Sequence, residues 1–350
     1  MILTDSMLSL AFRYRETELW KKLMDSDVFA VRLSTGEIGY CSIMGSAREH
    51  IALGLYIGDS GFSTYLRTIS MRDMDVAAMH QASITFNCIN CDFMNANDIM
   101  SQSKKIIKSY VVSHGVKVRR PKGWPDFVRC SPYKMPWGIT KEEDAQAIME
   151  ALVASFHVAE MLKTHGFEKL GFDMRAEYPT LGGGKTVPYL IPQPDGTYEW
   201  GKTKLPALCE DVYPKPVFDN DILAHQVKSL RKTDIFLCRF VHVPSAIHAE
   251  GEEVPYFPGL MLCLDGNSGA LLPPVLSMGD FEKEPEKLLN DFANALCSYN
   301  MCPAKILVTD RQTKSLLDDF CKKCGIVIEQ KSSLPELDDA YAHLVSYFMR

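Results

Sequence analysis

The sequence predicts an α+β protein of two domains: a mostly antiparallel N-terminal α+β domain, then a two-layer or three-layer α/β domain. Three observations carry this. At 350 residues the chain is longer than one core of typical size organises. Its first third alternates short apolar runs with hairpin signals, which favours antiparallel pairing. From Tyr256 onward, strand-length apolar runs alternate with amphipathic helix-length ones, the order that builds a sheet with helical crossovers.

In order, Ser9–Met24 sets Leu10, Tyr14, Leu19, Trp20 and Leu23 along one side of a helix. Strands are predicted over Val28–Leu33, Ile38–Met44 and His50–Tyr56, the first two joined by a turn at Ser34-Thr35-Gly36-Glu37. Phe62–Ile69, Asp75–Gln81 and Asn97–Ser109 read as helices, with a strand over Ile84–Phe93. The segment Lys122–Trp137 has too much proline for regular structure and too many aromatics for a mobile linker. Thr140-Lys141-Glu142-Glu143 is a capping box for the longest helix, which ends near His165-Gly166. Residues 1–120 are thus expected to form the first domain and 121–165 a seam. Residues 166–350 form the second, with an inserted hairpin around Pro194-Asp195-Gly196.

Further on, Asp221–Leu230 is helical and Ile235–Val243 a strand. Leu260–Leu264 and Gly269–Leu276 flank the turn Asp265-Gly266-Asn267-Ser268. A helix over Glu284–Tyr299 leads to the strand Lys305–Thr309. The next helix is stopped by Gly325, and the strand Ile326–Glu329 follows. Ser333-Leu334-Pro335-Glu336 opens a last helix. The strands at 260–264, 305–309 and 326–329 are expected side by side.

Composition narrows the function. Apolar residues make up 46% and charged residues 23%, with a formal net charge of −6, so no general basic field recruits nucleic acid. No apolar run has the length of a bilayer span, and the first residues lack the basic head of a signal peptide. A cytoplasmic protein without a membrane partner is expected. Eleven cysteines, scattered through apolar runs, read as buried reduced thiols with neither disulfide nor zinc.

Cys88-x-x-Cys91 lies on a predicted strand, which sends its thiols to opposite faces. Cys321-x-x-Cys324 lies at the wrong end of a helix for thiol activation. Cys130, beside Arg129, is a candidate activated thiol for which the sequence locates no base. Gly182-Gly183-Gly184-Lys185-Thr186 is not a phosphate loop, because position 179 is Pro179 and a strand follows. One basic-aromatic cluster stands out: Arg119, Arg120, Trp124, Arg129 and Trp137, interleaved with Lys122, Phe127, Tyr133 and Lys134. Segment 119–137 is the single place where a nucleic-acid partner is expected, through stacking and phosphate contacts. The plainer reading has these aromatics packed and the cations solvated.

Two resemblances bear on this. The stretch Glu18–Leu66, the Trp124-Pro125-Asp126-Phe127…Pro136-Trp137 segment and the helix after it resemble an uncharacterised bacterial domain family. The strand Ile235–Val243, then Pro303–Asp310, Gly325-Ile326 and Leu334–Asp338 resemble the uncharacterised domain that often follows it. Tyr256–Tyr347 also resembles the ribonuclease H-like fold, which implies carboxylates on the first strand, at the end of the fourth and on a late helix. Here those would be Asp265, Asp310 and Asp338 or Asp339, with Glu282, Glu284 or Glu286 as a further acid, holding magnesium or manganese. Each acid has a plainer role: Asp265 in a turn, Asp310 as an N-cap, Asp338 and Asp339 in a first helical turn. The expectation is a non-enzymatic binding or interaction protein of unknown partner, with no cofactor. The alternative is a nuclease dependent on magnesium or manganese.

Overall fold

The computed structural model describes the chain apart from residues 48–49, 71–75, 173–176, 211–212, 249–252, 278–284 and 349–350, with backbone alone at 76–78. Two units share it. The first comprises residues 1–72, 85–132 and 136–209, and the second 73–84, 133–135 and 210–350.

In the first unit, β1 (Phe29–Arg32), β2 (Ile38–Met44), β3 (Ile51–Ile57), β4 (Cys88–Met94), β5 (Trp124–Cys130), β6 (Trp137–Gly138), β7 (Thr186–Pro192) and β8 (Tyr198–Lys204) form one sheet. Its order is β6-β5-β4-β3-β2-β1-β7-β8. Every pairing is antiparallel except β1 with β7. Period-two alternation splits the side chains between two faces. Phe29, Val31, Leu53 and Phe93 pack with α1 (Asp5–Thr17), α4 (Ser101–Ser113) and α5 (Glu142–His165). Ala30, Tyr40, Tyr56 and Cys88 pack with α2 (Gly58–Ser70). Burying one Leu, Ile or Phe contributes about 1.5–3 kcal/mol, so these two layers carry most of the unit's stability. Among the described helices, α5 alone has the length and apolarity to cross a bilayer. Ile148, Ala151 and Leu152 are fully buried, and that apolar side belongs to the core.

Three expectations fail here. The first helix ends at Thr17, not Met24, because Glu18 turns left-handed (φ 50°). Lys122–Trp137 holds two strands. Pro125 is tolerated opposite Phe93 because β5 has only the two-residue β6 on its outer side, so a missing N–H is cheap there. The hairpin assigned to the second domain belongs to this sheet: Ala30 and Val31 pair with Tyr189 and Leu190. Its turn is as read, with Gly196 at φ 81° and the Thr197 N–H donating to Asp195 Oδ1 at 3.0 Å.

In the second unit, β9 (Lys232–His242), β10 (Gly259–Asp265), β11 (Val275–Ser277), β12 (Cys302–Val308) and β13 (Val327–Gln330) form a sheet of order β11-β10-β9-β12-β13. The first three strands are mutually antiparallel, and β12 runs parallel to both β9 and β13. β9 therefore separates 260–264 from 305–309, which were expected as neighbours. The strand expected over Gly269–Leu276 shrinks to three residues because Pro273-Pro274 interrupts it. Phe236, Cys238 and Phe240 face α6 (Asp221–Ser229), α7 (Pro285–Tyr299) and α8 (Arg311–Cys324), whereas Leu237 and Val241 face α9 (Pro335–Phe348). Gly325, at φ 68°, ends α8 as a left-handed cap. The excursion 73–84 supplies α3 (Val76–Ser83), and residues 133–135 pair with 255–257 through Met135 N–H to Pro255 O and Phe257 N–H to Tyr133 O.

Candidate functional site

The three carboxylates read from the sequence lie in the second unit, each engaged locally. Asp265 ends β10 and accepts from the N–H groups of Asn267 and Ser268 and from Ser268 Oγ, the last at 2.7 Å. These bonds hold its carboxyl below the usual range. Asp310 caps α8. It accepts from Thr313 N–H at 2.7 Å and Thr313 Oγ1 at 2.8 Å, while Phe240 N–H donates to that hydroxyl. Asp338, in the first turn of α9, lies 2.9 Å from Arg239 Nη1.

Register keeps them apart. Asp265 stands opposite Phe236, whereas Asp310 follows three residues after Leu307, itself opposite Leu237. That is roughly 13 Å along the strands, with β9 lying between β10 and β12. The chain threads β9 first, so Asp265 sits on the second strand rather than the first. On β9's α9-facing side the mid-strand position is Arg239, whose guanidinium also lies 5.2 Å from the Tyr341 ring. That position therefore carries a cation paired with Asp338 and no acid of its own. Among the described residues no three His, Cys, Asp or Glu converge on a metal-sized position. Glu282 and Glu284 fall outside the described residues, and Glu286 sits in the first turn of α7.

The C-terminal end of β9 is covered by α3. Gln81 Nε2 donates to His242 O at 3.2 Å and to Tyr341 Oη. His242 is 2% exposed, bonds Phe257 O through Nδ1 at 2.8 Å and stacks on Tyr133 at 4.0 Å. Burial lowers its pKa to about 4. An open groove of about 730 Å³ lies between residues 213–217 and α8. It is lined by Tyr213, Val217, Lys215, Arg311, Lys314 and the acid Asp318. Asp319, also at its wall, accepts from Phe218 N–H at 2.8 Å.

The basic-aromatic cluster is divided between framework and surface. Trp124 and Phe127 pack on the first unit's core. Arg119 lies 3.6 Å from Glu18, with half its side chain exposed. Arg120 is exposed, and Trp137, half-buried, pairs opposite Arg129. Arg129 is committed: Nη1 donates to Cys88 O at 3.0 Å and to Cys130 O, Nη2 to Asn87 Oδ1 at 2.8 Å, and Nε lies 3.5 Å from Asp144. Trp124 is packed and Arg119 and Arg120 are exposed, but Arg129 departs from the plainer reading, which left the cations solvated.

Sequence reasoning missed a polar patch on this sheet. Asp92 and Asp126 stand directly opposite each other on β4 and β5, at 5% and 8% exposure. Burial, then the neighbouring Asp92, raises the carboxyl of Asp126. His50 Nε2 lies 3.2 Å from Asp92, and that bond raises its pKa. Alternation on β4 (Cys88, Asn90, Asp92) was the signal. It places a polar series on one face, but it cannot show what pairs with it.

Family comparisons divide the chain in two as well, at different boundaries. Residues 5–176 match a family described as a domain of unknown function, DUF7309, and residues 223–345 match another, DUF6930. The chain joins two domains of unknown function. No curated protein matches it.

Proposed function

We propose that this protein is a non-enzymatic binding module whose DUF6930 domain uses a ribonuclease H-like scaffold without a metal site. Three antiparallel strands followed by alternating helices and parallel strands support the scaffold. The observation that carries the rest is Arg239, paired with Asp338 where an acid would be required. Asp310, at the end of the fourth strand, is spent on Thr313. Binding is assigned to the α8 groove, where Lys215, Arg311 and Lys314 favour an anionic partner over a cationic one. The test is a thermal-shift series under manganese titration, run beside a cleavage assay on single- and double-stranded nucleic acid. No shift and no cleavage are expected. A manganese-dependent rise in Tm that disappears in Asp310→Asn, with cleavage, promotes the nuclease instead.

A further inference from the structure

Cys88 opens β4, Cys130 closes β5, and the two are paired opposite each other on the last rung of that ladder. Both side chains belong to the α2-facing layer, with their thiols hydrogen-bonded to one another. Residues directly opposite on antiparallel strands hold their Cα atoms about 4.5–5.5 Å apart. A disulfide spans Cα separations of about 4.4–6.8 Å, so no backbone movement is needed to close one here. Arg129 ties the rung together, because one guanidinium nitrogen donates to the carbonyls of both cysteines and the other to Asn87. The carbonyls are fixed, and the Arg129 charge favours the ionised form of both thiols.

We propose that Cys88 and Cys130 form a reversible disulfide, making this rung a site of oxidation by peroxides. The hydrogen bond from Cys88 lowers the Cys130 thiol pKa, and Arg129 adds to that, against burial and Asp92. The same bond and burial raise Cys88. The asymmetry assigns the order of events. The Cys130 thiolate attacks a peroxide oxygen, the O–O bond breaks, and Cys130 becomes a sulfenic acid as hydroxide leaves and takes a proton. The Cys88 sulfur then attacks the Cys130 sulfur and gives up its proton, and the hydroxyl departs as water. Two thiols are oxidised and one hydrogen peroxide is reduced to two waters. This site is independent of the binding reading.

The molecule contains its own comparator. Cys238 and Cys263 are also directly opposite, with sulfurs 3.2 Å apart, and as buried as Cys88 and Cys130, but they sit mid-strand among apolar side chains instead of at a polar ladder end. The full-length protein is treated with graded hydrogen peroxide, alkylated, reduced, alkylated with a heavier reagent and mapped by peptide mass spectrometry. The expected result is a Cys88–Cys130 crosslink reversed by dithiothreitol, with Cys238 and Cys263 still thiols. In Cys88→Ser, dimedone should trap a sulfenic acid at Cys130, and Arg129→Gln should slow crosslinking several-fold. The proposal is overturned if Cys88 and Cys130 remain free at doses that oxidise the partly exposed Cys209 and Cys297. A crosslink joining either to a different cysteine overturns it as well.

Discussion

Each domain sets two cysteines opposite one another on adjacent strands, and the surroundings separate what the two pairs can do. Cys88 and Cys130 end a ladder, beside Arg129, Asn87 and Asp92. Cys238 and Cys263 sit mid-strand among Phe236, Phe240 and Phe292, and burial raises the Cys238 thiol well above its usual range. The histidines divide the same way. His50, half-exposed, is held by Asp92 and pushed up, whereas His242 is sealed and pushed down. A polar partner keeps a titratable group chemically usable, and an apolar seal silences it.

Acid gives the largest expected effect. The folded pKa of His242, about 4, lies below the unfolded value near 6.5. Its stabilising contribution is therefore complete above pH 6.5 and lost as the pH falls towards 4, on the order of 3 kcal/mol in all. His50 has the opposite sign. Its folded pKa is raised, so its contribution is complete below about 6.5 and lost as the pH rises through the folded value. All four tryptophans, Trp20, Trp124, Trp137 and Trp200, lie in the first unit and none in the second. Urea unfolding at pH 7.5 and 5 should show the circular-dichroism transition moving earlier, ahead of tryptophan fluorescence. Coincident transitions at both pH values would break the comparison.

Serine substitution sharpens it next. Cys238→Ser buries a hydroxyl in an apolar core and should cost about 1–3 kcal/mol in chemical denaturation. Cys130→Ser, at the polar ladder end, should cost less than about 1 kcal/mol. Equal costs would mean that the two environments do not differ as described. Asp126→Asn follows. Its folded carboxyl pKa is raised, so the ionised form opposes folding, and stability falls as the pH rises past the unfolded value near 3.9. The variant should melt higher than wild type at pH 7, and the gain should vanish in acid, where the Asp126 carboxyl is protonated. The smallest effect belongs to Asp310→Asn, below about 0.5 kcal/mol because Asn caps nearly as well, against about 1 kcal/mol for Asp310→Ala.

Local rules read well. The α8 cap at Asp310, its stop at Gly325 and the Asp195-Gly196 hairpin all follow from residue chemistry that tertiary context leaves alone. What escaped depends on distant partners. Val187–Ile191 reads as a strand, but nothing in those residues says that it pairs with β1 across about 160 positions. Pro125 and Pro136 argued against strands because a short outer neighbour is invisible from sequence. Cys130 was noticed beside Arg129, yet its counterpart is Cys88, forty-two positions earlier, and not the Cys91 that the C-x-x-C spacing suggests. The Asp92–Asp126 pair was hidden for the same reason.

The excursion through α3 has a practical consequence for anyone dividing this chain. The DUF7309 match, 5–176, contains residues 73–84 and 133–135, which fold with the other unit. A fragment begun after Cys209 keeps all five strands of the second sheet but loses Gln81 from Tyr341 and from the carbonyl of His242. It also loses Tyr133 from the ring of His242. Expressed alone, it would bare the end of β9 and the α9 flank to water. A cut after Cys209 thus yields a piece that is sticky and acid-tolerant, because an imidazole opened to solvent no longer resists protonation.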